Sequence, residues 1–403
     1  MVVLNDYLEK SSQFFSYVGD NIFRSENVSM RILTNEQKIL ACAAYLDPAE
    51  EQLEVIRGCM STIDNTDHLI ALAVKEGLAG FLYKSLLKAG LLESLIPTDK
   101  QRLYNYYYLT IRHNLKLIHT LNEILDPFNQ NDIQVVLMQG ISLLQQVYRD
   151  IGLRPMTDLD LWVLPPKYPK LIECLIGQGF QRNSLYPDNF TKGEIMLDIH
   201  THIMWADRIH NRALLLTKCQ EDIFNNAQVI NFEKPATLCL NPSDQFLYLS
   251  LHALKHNFER LIWLVDIKNL VSLWEPPAWH RLMVRAEELG QKTILNYMVY
   301  LLKNIFCFEL PSEISSYFDN WRLDFFERKI LQKRINGDSI PTWAQLILIS
   351  TGKSMRERVS FIKETLFPRP KILRQVFPNS GNLRDGRLYW KRVLQLLGSF
   401  KMN

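Results

Sequence analysis

The stretch "VVLMQGISLLQQVYRDIGLRPMTDLDLWVLPP" covers residues 135–166, and its reading decides the fold. It opens inside an apolar run, "IQVVLMQ" (133–139), that reads as a short β-strand. Gly140 opens "GISLLQQVYRD" (140–150), which has helical spacing. "TDLDLWVLPP" (157–166) then alternates and stops at a double proline, as a strand does. Residues i and i+2 of a strand share a face, so Asp158 and Asp160 project together. Two adjacent carboxylates repel, and aspartate is disfavoured in an apolar strand. A divalent cation removes the conflict, and Mg²⁺ takes one or two carboxylates together with substrate phosphates.

Further along, "KYPKLIECLIGQGF" (167–180) reads as a helix closed by glycines. "EIMLDIHTHI" (194–203) alternates again, with Met196, Asp198, His200 and His202 on one face. The order strand, helix, strand, helix, strand defines a small α/β unit. Asp198 then offers a third carboxylate. Three aspartates on neighbouring strands can hold two metal ions that clamp both oxygens of an in-line phosphoryl displacement. Gly140, between a strand and a helix, offers bare backbone amides and a helix N-terminus to a phosphate. Ser142 and Arg154 are candidates for further phosphate contacts, Arg154 as a bidentate donor. Alone, Asp-x-Asp also arises in surface turns and calcium loops. Its apolar setting and the preceding strand–glycine–helix favour chemistry.

The flanks are helical. "DHLIALAVKEGLAGFLYKSLLKAG" (67–90) reads as one helix ending at Gly90, and residues 101–128 as another. "NPSDQFLYLSLHALKHNFERLIWLVDIKNLVSLW" (241–274) opens with Asn241 as N-cap and Pro242 at the first helical position. The 403 residues suffice for two or three domains, and 47% hydrophobic with 22% charged residues is ordinary for a globular protein. No apolar run reaches membrane-spanning length, and the first residues do not read as a secretory signal. Six scattered cysteines fit a reduced, cytoplasmic setting. Net charge is +3, yet residues 351–403 hold twelve Lys/Arg against three Asp/Glu, leaving the rest near −6. Such a tail suits phosphates, nucleic acid or an anionic surface, or is a solvated helical face. Some of Arg356, Arg358, Lys363, Arg369 and Arg374 are expected to face the active-site cleft and help hold an anionic ligand.

The segments "VVLMQGISLLQQVY", "GLRPMTDLDLWV" and "MLDIHTHI" together resemble an uncharacterised bacterial nucleotidyltransferase family of the DNA polymerase beta superfamily. The likeness extends to "HLIALAVKEGLAGFLYKSLLKAG", to "LSLHALKHNFERLIWLVDIKNLV" with its Trp263 and Asp266, and to "RERVSFIKETLFPRP". It implies an α+β, mostly helical protein. A small mixed-sheet nucleotidyltransferase core (129–235) would lie between an N-terminal helical region (1–128) and a C-terminal helical domain with the basic tail (236–403). It implies Asp158, Asp160 and Asp198 as catalytic carboxylates and metal ligands, and Gly140 as the phosphate-cradling turn. Mg²⁺ or Mn²⁺ would be the cofactor. A nucleoside triphosphate would be the co-substrate, and a peptide, sugar or small metabolite the acceptor. The chain departs from the family in carrying Gln139 where lysine is usual, and in following Gly140 with Ile141 and only then Ser142.

The histidines leave several readings open. His252 and His256 stand four apart on a helical pattern, and His200 shares a strand face with Asp198. With Gln139, they are candidate nucleotide or substrate contacts. Alternatively they orient Asp198, or bind zinc. Two further functions compete with nucleotidyl transfer: a non-catalytic nucleotide-binding or interaction protein on the same fold, and a zinc hydrolase built on "DIHTH" in the manner of barrel amidohydrolases.

Overall fold

A computed structural model describes residues 33–401 except 207–209, 231–236, 342, 351–353 and 378–382. The N-terminal part contains α1 (Asn35–Ala43), α2 (Glu50–Met60), α3 (Asp67–Glu76), α4 (Ala79–Lys88) and the long α5 (Pro97–Gln130). The expected helix over 67–90 is two helices. Gly77, at φ 78°, ends α3, and a Cβ there would strike Arg260 and Ile262. Gly90 does follow the second helix in the left-handed region, at φ 74°.

The middle of the chain builds one mixed sheet. It contains β1 (Val136–Leu137), β2 (Leu159–Trp162), β3 (Gln181–Arg182), β4 (Asn189–Lys192), β5 (Ile195–His200), β6 (Gln228–Ile230) and β7 (Thr237–Cys239). Their order is β3-β4-β5-β2-β1-β7-β6. β2 pairs with β5 in parallel and with β1 antiparallel, while β1 pairs with β7 in parallel. Among the described residues this is an open sheet with edges at β3 and β6, so the reading of "DIHTH" as part of an eight-stranded barrel is corrected. Between strands lie α6 (Gln139–Gln146), α7 (Tyr168–Gly177) and α8 (Gln220–Asn225). Leu159, Leu161, Leu197 and Ile199 point to one buried face, which α5 helps to cover, with α7 packed against α5. Asp160, Asp198 and His200 point to the other.

The remainder is helical: α9 (Pro242–Lys255), α10 (Leu261–Val271), α11 (Pro276–Glu288), α12 (Lys292–Phe306), α13 (Ser312–Asp319), α14 (Phe325–Ile335), α15 (Ala344–Ser350), α16 (Met355–Leu366), α17 (Pro370–Val376) and α18 (Asp385–Lys401). Asn241 caps α9 as expected, accepting from Asp244 N at 3.0 Å. The pattern over 241–274 breaks after Lys255, where Asn257 and Phe258 take φ near 50°. The protein is therefore α+β and mostly helical, and one contiguous cluster of buried residues runs from Ile39 to Phe361. The N- and C-terminal helices meet directly. Glu76 accepts from Arg334 Nη2 and from Leu261 N, each at 2.7 Å, with both charged side chains buried.

Candidate active site

Parallel pairing sets Asp160 directly beside Asp198, and the side chains of such neighbours share a face. His200, two residues further along β5, joins them. Its Nε2 lies 2.9 Å from Asp160 Oδ1 and 3.8 Å from Asp198 Oδ2. Donor atoms of Asp160, Asp198 and His200 all fall within 4.8 Å of one another, close enough to share one metal ion. Asp160 and His200 are buried, while the Asp198 side chain keeps 29% of its surface open. That difference leaves Asp198 the carboxylate an incoming molecule would meet first.

Asp158 stands one residue before β2, outside this three-residue cluster. Burial, then the neighbouring Asp160 charge, pushes its carboxyl up to about 7. Thr157 Oγ1 donates to it at 3.0 Å and works the other way. For His200, burial opposes the charged ring, but Asp198 and Asp160 outweigh it and hold the imidazole above its ordinary value. The site therefore gathers negative charge that His200, and Arg154 from a greater remove, offset only in part.

Gln139 occupies an unusual place. It begins α6 at φ 49°, a left-handed conformation costing a non-glycine residue about 1–3 kcal/mol. Its amide Nε2 donates to Asp160 Oδ1 at 2.8 Å and approaches Tyr248 Oη at 3.3 Å. Asp160 thus already has donors from both Gln139 and His200. Gly140 adjoins it for a steric reason as well. A Cβ there would come within 2.9 Å of Met156 and of Arg154 Nη1.

Ser142 and Arg154, the expected phosphate contacts, both have partners within the protein. Ser142 is buried between α6 and α9, where its Oγ accepts from Gln245 Nε2 at 3.3 Å. Arg154 is buried against Asp266, with Nη2 to Oδ2 at 2.8 Å and Nε to Oδ2 at 3.2 Å, and its Nη1 donates to Pro155 O. Asp266 also accepts from Tyr148 Oη at 2.6 Å. The guanidinium holds the loop before β2 to α10, and its Nη1 lies beside Gly140.

His252 and His256 lie outside the metal-capable cluster. Their rings are 4.7 Å apart and both pack against Trp263. Burial, then Lys255, lowers His256 to about 4. Burial, then His256, holds His252 well below the ordinary value. Both rings are neutral near pH 7. His202 lies past the end of β5, and its Nδ1 accepts from Met204 N at 3.1 Å. Of the tail residues, Arg369 lines a cavity of about 350 Å³ with Tyr168, Asp188 and Thr201, where β5 ends. Arg356 and Lys363 are exposed, Arg374 pairs with Asp385, and the side chain of Arg358 lies outside the described residues.

Tyr248 and Trp205 went unnoticed in the sequence. Tyr248 sits on α9 beside Gln139, and the Trp205 ring lies 5.6 Å from it, with Lys255 Nζ 4.0 Å from the indole centre. A period-3.6 pattern marks Tyr248 as core, and nothing in it tells a core tyrosine from one facing a carboxylate.

The profile of a family described as an uncharacterised nucleotidyltransferase matches residues 64–307, more than half of the chain. No curated protein and no solved structure matches it.

Proposed function

The chain belongs to that uncharacterised nucleotidyltransferase family, and on this premise we propose that it transfers a nucleoside monophosphate from a nucleoside triphosphate to an acceptor hydroxyl. A peptide, a sugar or a small metabolite fits that role. The observation that carries the reading is the pairing of Asp160 with Asp198 on adjacent parallel strands, beside the turn at Gln139 and Gly140. We assign the chemistry to residues 129–235, with helical parts over 1–128 and 236–403.

The donor set fits a divalent cation: two carboxylates and an imidazole whose ligand atoms already converge. Asp160 and Asp198 would hold Mg²⁺ or Mn²⁺, with Asp158 nearby once deprotonated. The imidazole suits Mn²⁺ better than Mg²⁺, which prefers oxygen. When bound, such an ion supplies charge stabilisation at the triphosphate. The chain's own groups do the rest. The half-open Asp198 accepts the proton of the acceptor hydroxyl. The acceptor oxygen bonds to the α-phosphorus, the bond to the bridging oxygen breaks, and pyrophosphate leaves. Gly140 opens α6 beside Asp160 and is the candidate to receive a phosphate at the helix N-terminus. His200 and Gln139 fix the Asp160 carboxylate, and neutral His252 and His256 are candidates to face the substrate.

Purified protein incubated with each α-labelled triphosphate, Mg²⁺ or Mn²⁺, and candidate acceptors should transfer label and release pyrophosphate. Asp160→Asn should lower that transfer about a hundredfold or more, since an ion's charge stabilisation is worth several kcal/mol. Its fold should persist, because an asparagine keeps the shape and still accepts from Gln139. Equal transfer by the variant would end the reading. The Gln139 amide already seated on Asp160 favours one alternative, a protein that binds nucleotide without turnover. Metal-dependent triphosphate binding with no label transfer to any acceptor, or to the protein itself, would select it.

A further inference from the structure

We propose that the C-terminal helices form a docking face for a bilayer bearing anionic phospholipid headgroups. The part of the face on α18 shares no residue with the site on β2 and β5. Residues 351–403 carry nine more positive than negative charges, while the rest of the chain is near −6. The structure sorts these charges. Arg356, Lys363, Arg369, Lys371, Arg387 and Lys391 are exposed. The acids are partly engaged: Glu357 closes the capping box of α16 with Ser354, Asp385 accepts from Arg374 at 2.7 Å with its side chain 42% open, and Glu364 is half-buried.

Apolar side chains lie among these cations with helical spacing. On α18, Arg387, Trp390, Lys391 and Leu394 stand at i, i+3, i+4 and i+7, a single face, with Trp390 64% and Leu394 50% exposed. Leu388, about 100° round the helix from Arg387, is buried. On α16, Met355, Val359 and Lys363 repeat every four residues, with Met355 73% exposed. Phe367 links the two helices: it is half-exposed, and its ring lies 6.3 Å from Tyr389 of α18. Tyr389 Oη in turn donates to Pro368 O at 2.8 Å. The segment is fixed to the rest of the protein, since Tyr186 Oη donates to Gln375 O and Gln375 Nε2 donates to Leu185 O.

A helix face mixing lysine and arginine with tryptophan, leucine and methionine lies in the plane of an interface, with its apolar groups at the acyl boundary and its cations at the phosphates. A nucleic-acid backbone would satisfy the cations and leave Met355, Val359 and Leu394 with nothing apolar to meet. A segment with twelve Lys/Arg against three Asp/Glu complements an anionic surface better than a second, like-charged copy of itself.

The test uses the full chain in flotation with vesicles of phosphatidylcholine alone, or with a third of phosphatidylglycerol. Binding should appear only with the anionic vesicles and weaken strongly at high salt. Arg387→Glu with Lys391→Glu should weaken it about fivefold or more per position. Trp390→Ser with Leu394→Ser should weaken it at least about tenfold at low salt while leaving thermal stability and label transfer unchanged. All four residues are exposed, so folding survives. Equal binding to neutral vesicles, or binding indifferent to both variants, would overturn the proposal. So would duplex DNA held more tightly than anionic vesicles, or self-association that both vesicle-binding variants abolish.

Discussion

Asp158 combines burial with a neighbouring charge, and its carboxyl is pushed up to about 7 against an ordinary 3.8. The folded protein therefore binds that proton more tightly than the unfolded chain. Its contribution to stability is complete below about pH 4 and is lost as the pH rises through about 7. His200, held above its ordinary value, works in the same direction. Asp158→Asn isolates the first effect: thermal melts without divalent cations should show the wild type losing more stability than the variant between mildly acidic and mildly alkaline buffer. Parallel curves would mean that Asp158 is solvated in the free protein. The acidic residues themselves were legible because aspartate in an alternating apolar strand needs a reason. His200 as a ligand-grade neighbour of Asp160 was legible only as a shared face, since strand register is not written locally. The partners of Ser142 and Arg154 were not legible, because Gln245 and Asp266 lie 103 and 112 residues away.

Between elements, the Arg154–Asp266 pair joins the loop before β2 to α10 with both groups buried. Removing one partner of a buried pair strands the other charge. Asp266→Ala should cost about 3–5 kcal/mol of unfolding free energy in denaturant titrations. A cost below about 1 kcal/mol would mean that Arg154 finds another acceptor. Helices with strong periodicity and chemical caps were readable, as Asn241 shows at α9. Breaks made by geometry were less so. Gly77 is an ordinary residue inside an apolar helical pattern until its φ is known, and Asn257 and Phe258 give no warning of a left-handed turn. β3 consists of two exposed residues and presents no alternation to detect. β6 and β7 are three residues each, too short for a period to emerge.

Across the molecule, no described helix is long and apolar enough to cross a membrane, and the buried cluster ties both helical regions to the sheet. Cutting the chain after Phe306 removes Arg334 and leaves the buried carboxylate of Glu76 without its cation. Such a truncation should be digested by protease far faster than the full chain, and equal resistance would show that residues 307–403 fold apart. The pairing of β1 with β7 carries a further, kinetic consequence. Val136 meets Leu238 across about a hundred residues, and Arg334 meets Glu76 across 258. Loop closure of that length must precede its reward, so folding is slow for a mostly helical chain. On the ribosome, β1 keeps an open edge until β7 is made, and the N-terminal helices wait for the last third of the chain. Emerging chains would then expose apolar surface for most of synthesis, and their yield should depend on chaperone supply more than on the stability of the finished protein.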